Sequence, residues 1–197
     1  MMKKGFIRDF LIMVLGAMTI GGGVVFIIYA GLGADAMTTL ENGLYVTLNI
    51  PLSLSPLLAN AFFLVLLFLL DKKRVSIGTV VCPFCITLGI EVFTLFIPEV
   101  SSMVLRVVYM FAGIVVVALG IGLGAQSPTG SNPYDGFILA VSDRIHKPYN
   151  TMRPCFDAVV LIAGVLLKGS WGIGTVLAIT LTGVIGQFFM NLLKKVF

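Results

Sequence analysis

The stretch LFLLDKKRVSIG, residues 67–78, sets the four polar residues DKKR (71–74) between two apolar runs. Which side of a membrane this turn occupies decides the fold. Six long apolar segments run over about 10–32, 53–70, 76–97, 103–125, 154–168 and 172–193, with two shorter ones at 36–49 and 134–146. If neither short segment crosses and the N-terminus is cytoplasmic, DKKR is cytoplasmic too. Lys3, Lys4, Arg8, Lys72, Lys73, Arg74, Arg144, Lys147, Arg153, Lys194 and Lys195 then face inside, and only Arg106 and Lys168 face outside. That is a strong inside excess of cations, the usual signature of orientation. If both short segments cross, DKKR moves outside and the excess weakens. The charge pattern therefore favours six spans with both termini cytoplasmic, and two short re-entrant or interfacial helices.

Composition places the chain in a membrane before any count of spans. Of 197 residues, 58% are hydrophobic and only 11% charged, against about 25% charged in soluble domains. Mean hydropathy is +1.08. Several windows reach the roughly 20 apolar residues that cross a bilayer. The net charge of +4 comes from bases scattered in pairs and triplets, without the basic, aromatic-studded stripe of a nucleic-acid surface. Residues 10–32 are longer than a signal-peptide core, so they are read as an uncleaved first helix. The expected location is a bacterial cytoplasmic membrane, with membrane lipids as surroundings. The three cysteines Cys82, Cys85 and Cys155 lie in apolar or near-membrane sequence, unlike a secreted disulfide framework.

An internal repeat divides the chain. NIPLSLSPLLANAFFLVLL (49–67) aligns with HKPYNTMRPCFDAVVLIAG (146–164), pairing Pro51 with Pro148 and Asn60 with Asp157. IGTV recurs at 77–80 and 173–176, placing Glu91 opposite Gln187. Arg8 and Arg106 each precede a glycine-bearing helix, with Gly16 and Gly22 in one and Gly113 and Gly120 in the other. Each half, 1–100 and 101–197, reads as span, short helix, span, span. Three crossings per half turn the second half upside down. The expected fold is an all-α polytopic membrane protein with an inverted repeat, a common plan among secondary transporters.

Polar residues at membrane depth are costly and usually face a partner or a cavity. In SNPYDGF (131–137), Asp135 is placed to cap a helix starting near Gly136, and Tyr134 adds an aromatic face and a hydroxyl. If this corner lines a cavity, both can meet a ligand. Its counterpart GADAMTT (33–39) puts Thr38 opposite Asp135, so the halves are chemically unequal. Glu91 is the deepest acid of the spans, and Asp157 lies one turn past Pro154. Arg106 is placed to pair with Glu99 or Glu91, and Arg153 to snorkel to the interface. Asn60 and Gln187 suit hydrogen bonds between helices. Thr175, like Thr79, can bond locally where IGT begins a helix. The candidate binding or gating set is Asp135, Tyr134, Glu91, Thr38, Asp157 and Thr175.

CPFC (82–85) has the spacing of a redox or metal pair, but it lies inside a span, and His146 is the chain's lone histidine. Packing is the favoured reading. The glycine runs GGG (21–23) and GIGLG (120–124) lack the Lys-Ser/Thr or acidic companions of nucleotide loops. They suit close helix approach instead. No cofactor or metal is expected.

AGLGADAMTTL (30–40), IGTV (77–80), LGIGLGAQSPTGSNPYDGFI (119–138), an early Arg153 in the fifth span and GSWGIGTV (169–176) together resemble the YczE/YyaS/YitT-type bacterial membrane proteins, most nearly the YczE-like branch. In that group the first short element often carries a Pro-aromatic-Asp sequence, where this chain has Ala36, Met37 and Thr38. The acid-Gly of the second element is kept as Asp135 and Gly136. The resemblance implies a bacterial integral membrane protein without a settled substrate.

The function expected from these features is transport of a small solute or ion by alternating access, not an enzymatic activity. A non-catalytic membrane regulator is the alternative, and a thiol redox protein using Cys82 and Cys85 a lesser one. A homodimer through the glycine-rich helices and a monomer are equally compatible with the sequence.

Overall fold

The computed structural model describes residues 5–50 and 54–196. Lys3, Lys4 and Pro51 lie outside the described residues. Among the described residues eight α-helices follow one another: α1 (Phe6–Ala30), α2 (Ala36–Leu48), α3 (Ser55–Leu70), α4 (Ile77–Thr94), α5 (Met103–Ala125), α6 (Pro133–Ile145), α7 (Tyr149–Leu166) and α8 (Ile173–Leu193). A 3₁₀ turn covers Lys72–Arg74. The expected bounds of the two short helices agree with α2 and α6 to within a residue.

Four helices, α1, α4, α5 and α8, are long and apolar enough to cross a membrane, and α3 is a shorter apolar helix. The outer surface is inside out relative to a soluble protein. Leu15, Phe62, Leu69, Val104, Val159, Ile162 and Phe188 all stand more than half exposed. Such a continuous apolar exterior is unfavourable in water and suits lipid. The interior combines an apolar core, with Met13, Leu67, Met110, Ile114 and Ile138 fully buried, and a few buried polar groups such as Asp135, Arg153 and Asp157.

α1 and α5 run antiparallel as the central pair, and their closeness is set by glycine. A Cβ on Gly16 would lie 2.9 Å from Gly120 O, and one on Gly23 would lie 2.9 Å from Gly113 O. Those separations are below van der Waals contact, so only glycine fits. Backbone-to-backbone packing of this kind is how membrane helices associate without a hydrophobic driving force.

Around this pair the contacts come in twos. α4 lies against α1 as α8 lies against α5; α2 packs on α7 as α6 packs on α3. The details match as well. Gly33 (φ +116°) fits against Gly172 and Thr175 at the start of α8, and Gly130 (φ +113°) fits against Ser76 and Thr79 at the start of α4. Both glycines occupy a region that side chains rarely adopt. Asn49 and His146 each end a short helix in the left-handed conformation, with φ 52° and 54°.

Hydrogen bonds fix which ends coincide. Ser127 Oγ donates to Asp9 O, joining the start of α1 to the end of α5. Ser76 Oγ donates to Thr129 O, and Arg74 pairs with Asp143. Gln126 Nε2 donates to Met190 O at 3.1 Å. Arg8, Lys72, Lys73, Arg74, Arg144, Lys147, Lys194 and Lys195 therefore sit at one end of the molecule. At the other end Arg106 reaches Gly31, and Lys168 follows Leu167, whose carbonyl accepts from Thr47.

The glycine seam generates a contrast. Gly120→Val forces α1 and α5 apart and is expected to cost about 1–3 kcal/mol, the usual range for overpacking. At Gly124 a Cβ would meet only Ser131 Cβ, at 3.9 Å, so Gly124→Ala should change stability by no more than about 1 kcal/mol, in the helix-favouring direction. Thermal unfolding of the two purified variants in the same detergent checks this. Equal losses at both positions would contradict the seam.

Candidate functional site

A cavity of about 660 Å³ lies between α1, α2, α3, α4, α5, α6 and α7. Its walls are largely apolar, from Ile20, Val24, Ile86, Ile90, Val117 and Ile121. Size and lining are those of a small-molecule site. Three of its lining residues, Ile28, Thr87 and Glu91, are exposed. All three lie in the halves of α1 and α4 remote from the basic residues, so the cavity opens towards that end.

The floor is a buried charge cluster. Arg153 is only 5% exposed, Asp135 4% and Asp157 3%. Arg153 Nε donates to both oxygens of Asp157 at 2.9 Å, and Nη1 donates to Asp135 Oδ1. Tyr149 Oη accepts from Arg153 Nη1 at 2.6 Å and donates to Asp135 Oδ1 at 2.8 Å. Tyr134 Oη donates to Asp157 Oδ1 at 2.6 Å, and its ring lies 4.9 Å from the guanidinium carbon. Local sequence makes this possible. Tyr149, Arg153 and Asp157 are four residues apart along α7, which puts them on one face. Asp135 comes from the first turn of α6, where the helix dipole favours negative charge.

Four of the expected site residues, Asp135, Tyr134, Glu91 and Thr38, line this one cavity. Asp157 stands behind the floor as the second partner of Arg153. Thr175 does not reach the cavity. It is fully buried at the start of α8, where its Oγ1 accepts from Gly172 N at 3.1 Å.

Other expectations are corrected. α6 begins at Pro133, and Asp135 makes no backbone capping bond; its carboxylate is taken by Arg153, Tyr149 and, at 3.3 Å, Asn132 Nδ2. Arg153 does not snorkel, because two carboxylates await it inside. Among the described residues Arg106 forms no ion pair; its Nε is buried without a partner. Asn60 and Gln187 bond within their own helices, to Pro56 O and Asn191 Oδ1. Cys82 is buried against Met13 and Ala17, and neither it nor Cys85 is in a disulfide.

Sequence reading passed over Arg153, Tyr149 and Glu41 as site residues. The four-residue spacing of Tyr149, Arg153 and Asp157 was the available signal for the first two. Glu41 follows Thr38 by three residues and shares its face of α2, where both line the cavity.

Arg153→Gln removes the cation and leaves two carboxylates facing each other out of water. Breaking a buried pair in this way costs about 3–5 kcal/mol. The expected result is a steep loss of thermal stability in detergent. Arg144→Gln, on an exposed cation at the basic end, should leave the melting temperature nearly unchanged.

No solved structure matches the chain. An uncharacterised protein of Haemophilus influenzae is 28% identical over 185 residues, covering 94% of this chain and 84% of the relative. The uncharacterised protein YyaS of Bacillus subtilis is 23% identical, covering 93% and 92%. The uncharacterised membrane protein YczE of the same organism is 24% identical, covering 57% and 53%. The model of a family described as "Family of unknown function (DUF6198)" matches residues 7–191. With nearly its whole length matched, the chain belongs to this DUF6198 family, the YczE/YyaS-like multi-pass membrane proteins of bacteria.

Proposed function

We propose that the protein is a secondary transporter of a small solute or ion that works by alternating access. In this reading α1, α3, α4, α5, α7 and α8 cross the bilayer. The short helices α2 and α6 are re-entrant, their first turns at the cavity and their last turns at opposite surfaces. Residues 1–100 and 101–197 are inverted repeats, and the paired helix contacts support that division. The basic end is cytoplasmic, by the excess of cations there, so both termini are inside and the cavity faces outward.

The observation that carries the reading is the cavity itself. It is bounded by helices of both halves, reaches buried polar groups at depth, opens at one end, and is floored by a charge cluster. Binding sites near the midplane between repeats, bordered by short helices, are the recurrent plan of such transporters. The glycine contacts of α1 and α5 leave few interlocking side chains to resist rocking of one half on the other. The reading assigns no bond-making chemistry to the chain.

Reconstitution into liposomes tests it. Wild-type protein is expected to give protein-dependent flux of at least one solute from a panel of ions, amines and small metabolites. No flux for any solute, with the protein shown to be folded, would sink the proposal. Orientation has its own check. In a chain with Cys82, Cys85 and Cys155 replaced, a cysteine at Glu99 should react with an impermeant maleimide in intact cells. A cysteine at Lys72 should react only after lysis.

A further inference from the structure

The cavity carries more acceptors than its own donors satisfy. Asn60 is 8% exposed and lines the cavity, and its Oδ1 has no hydrogen-bond partner. The orientation of this amide is fixed, because Nδ2 donates to Pro56 O at 2.9 Å, an atom that can only accept. Asn132 repeats the arrangement. Its Nδ2 donates to Asp135 Oδ2 at 3.3 Å, and its Oδ1 is buried without a partner. Two amide oxygens beside the cavity are thus buried without a donor from the chain. A buried unpartnered acceptor is unfavourable by about 1–3 kcal/mol.

Charge points the same way. Asp35, Glu41 and Glu91 line the cavity, and among the described residues none of them forms an ion pair. Among the described residues the Asp35 carboxylate accepts only from Thr38 Oγ1, at 2.5 Å. The cavity's one lining cation, Arg153, is matched twice over by Asp135 and Asp157. The surplus is of acidic side chains, within largely apolar walls.

We propose that this cavity binds a small organic cation, a protonated amine or a guanidinium with an apolar body. Its N–H groups meet the carboxylate of Glu41 and the amide oxygen of Asn60. Its apolar body rests against Ile20, Val24, Ile86 and Val117. An anion meets unpaired carboxylates, and a neutral apolar molecule leaves the amide oxygens unsatisfied. Among the described residues no three His, Cys, Asp or Glu side chains converge as metal ligands do, so the acids of α2 and α4 suit an extended cation better than a bare metal ion. That the bound cation is also the cargo rests on the transport reading.

Thermal unfolding of the full chain in nanodiscs tests the site. The probes are benzylammonium, butylguanidinium, benzoate, benzyl alcohol, and sodium and magnesium chloride. The two organic cations are expected to raise the melting temperature saturably. Glu41→Gln and Asn60→Leu should each weaken their apparent Kd by about tenfold, the scale of one charge-assisted hydrogen bond. Glu99→Gln, outside the cavity, should leave Kd unchanged. Two substitutions of different kinds keep the test sound if one variant does not fold. Stabilisation by benzoate, benzyl alcohol or the metal salts alone overturns the proposal. So does the absence of a shift with either organic cation, or wild-type affinity in both variants. Flux separates the two readings. Saturable cation binding without transport of that cation overturns transport and keeps the site, whereas transport of an anion overturns the cation site and keeps transport.

Discussion

A guanidinium sealed from water needs negative partners, and in this protein Arg153 has two. Burial of Arg153 beside Asp135 and Asp157 is tolerable only because the geometry satisfies charge and hydrogen bonds together. Two tyrosine hydroxyls complete the cluster. Its consequence is positional. The first turn of α6 is tied to the first half of α7, and this holds Tyr134 and Asp135 at the bottom of the cavity. The loop 126–132 is held separately, by Ser127 to Asp9 O, Ser76 to Thr129 O and Gln126 to Met190 O.

The second organising constraint is the absence of side chains along α1 and α5. Gly16, Gly23, Gly113 and Gly120 bring the two backbones into contact. This close central pair leaves α4 and α8 to pack outside it on matched sides, and the short helices to pack on α7 and α3. Equivalent positions do different work, however. Asp157 in one half is a partner of the buried cation, while Asn60, its counterpart, lines the cavity and has a buried oxygen without a partner. The matched helix contacts supply the frame, and differences between the two sides supply the chemistry.

Much of the frame was legible in the sequence because each element carried a local signal. Apolar runs marked the helices, DKKR marked a turn, and the recurrence of IGTV marked equivalent helix starts. The same logic brought Asp135, Tyr134, Glu91 and Thr38 to notice, and the structure gathers them at one cavity. What escaped was partnership. Arg153 looks like an interfacial anchor when α7 is read alone, since its snorkelling depends on nothing but position. Its burial follows from Asp135, eighteen residues away on another helix. Thr175 was legible as a residue that bonds locally where IGT begins a helix, and its Oγ1 accepts from Gly172 N there; what was not legible is that Gly33 packs beside it. Glu41 sits on a helix of mixed character, and only the packing of that helix beside α3, α7 and α8 puts it at the cavity.

The pairing of Arg153 with its carboxylates has no mirror image, for the repeat places Pro56 where the other half has Arg153. If the two halves exchange shapes during a transport cycle, the latch at one gate has no equivalent at the other. The two end states then differ in intrinsic free energy. On the transport reading the empty molecule has a preferred resting pose, and cargo must tip it out of that pose in one direction more than in the other.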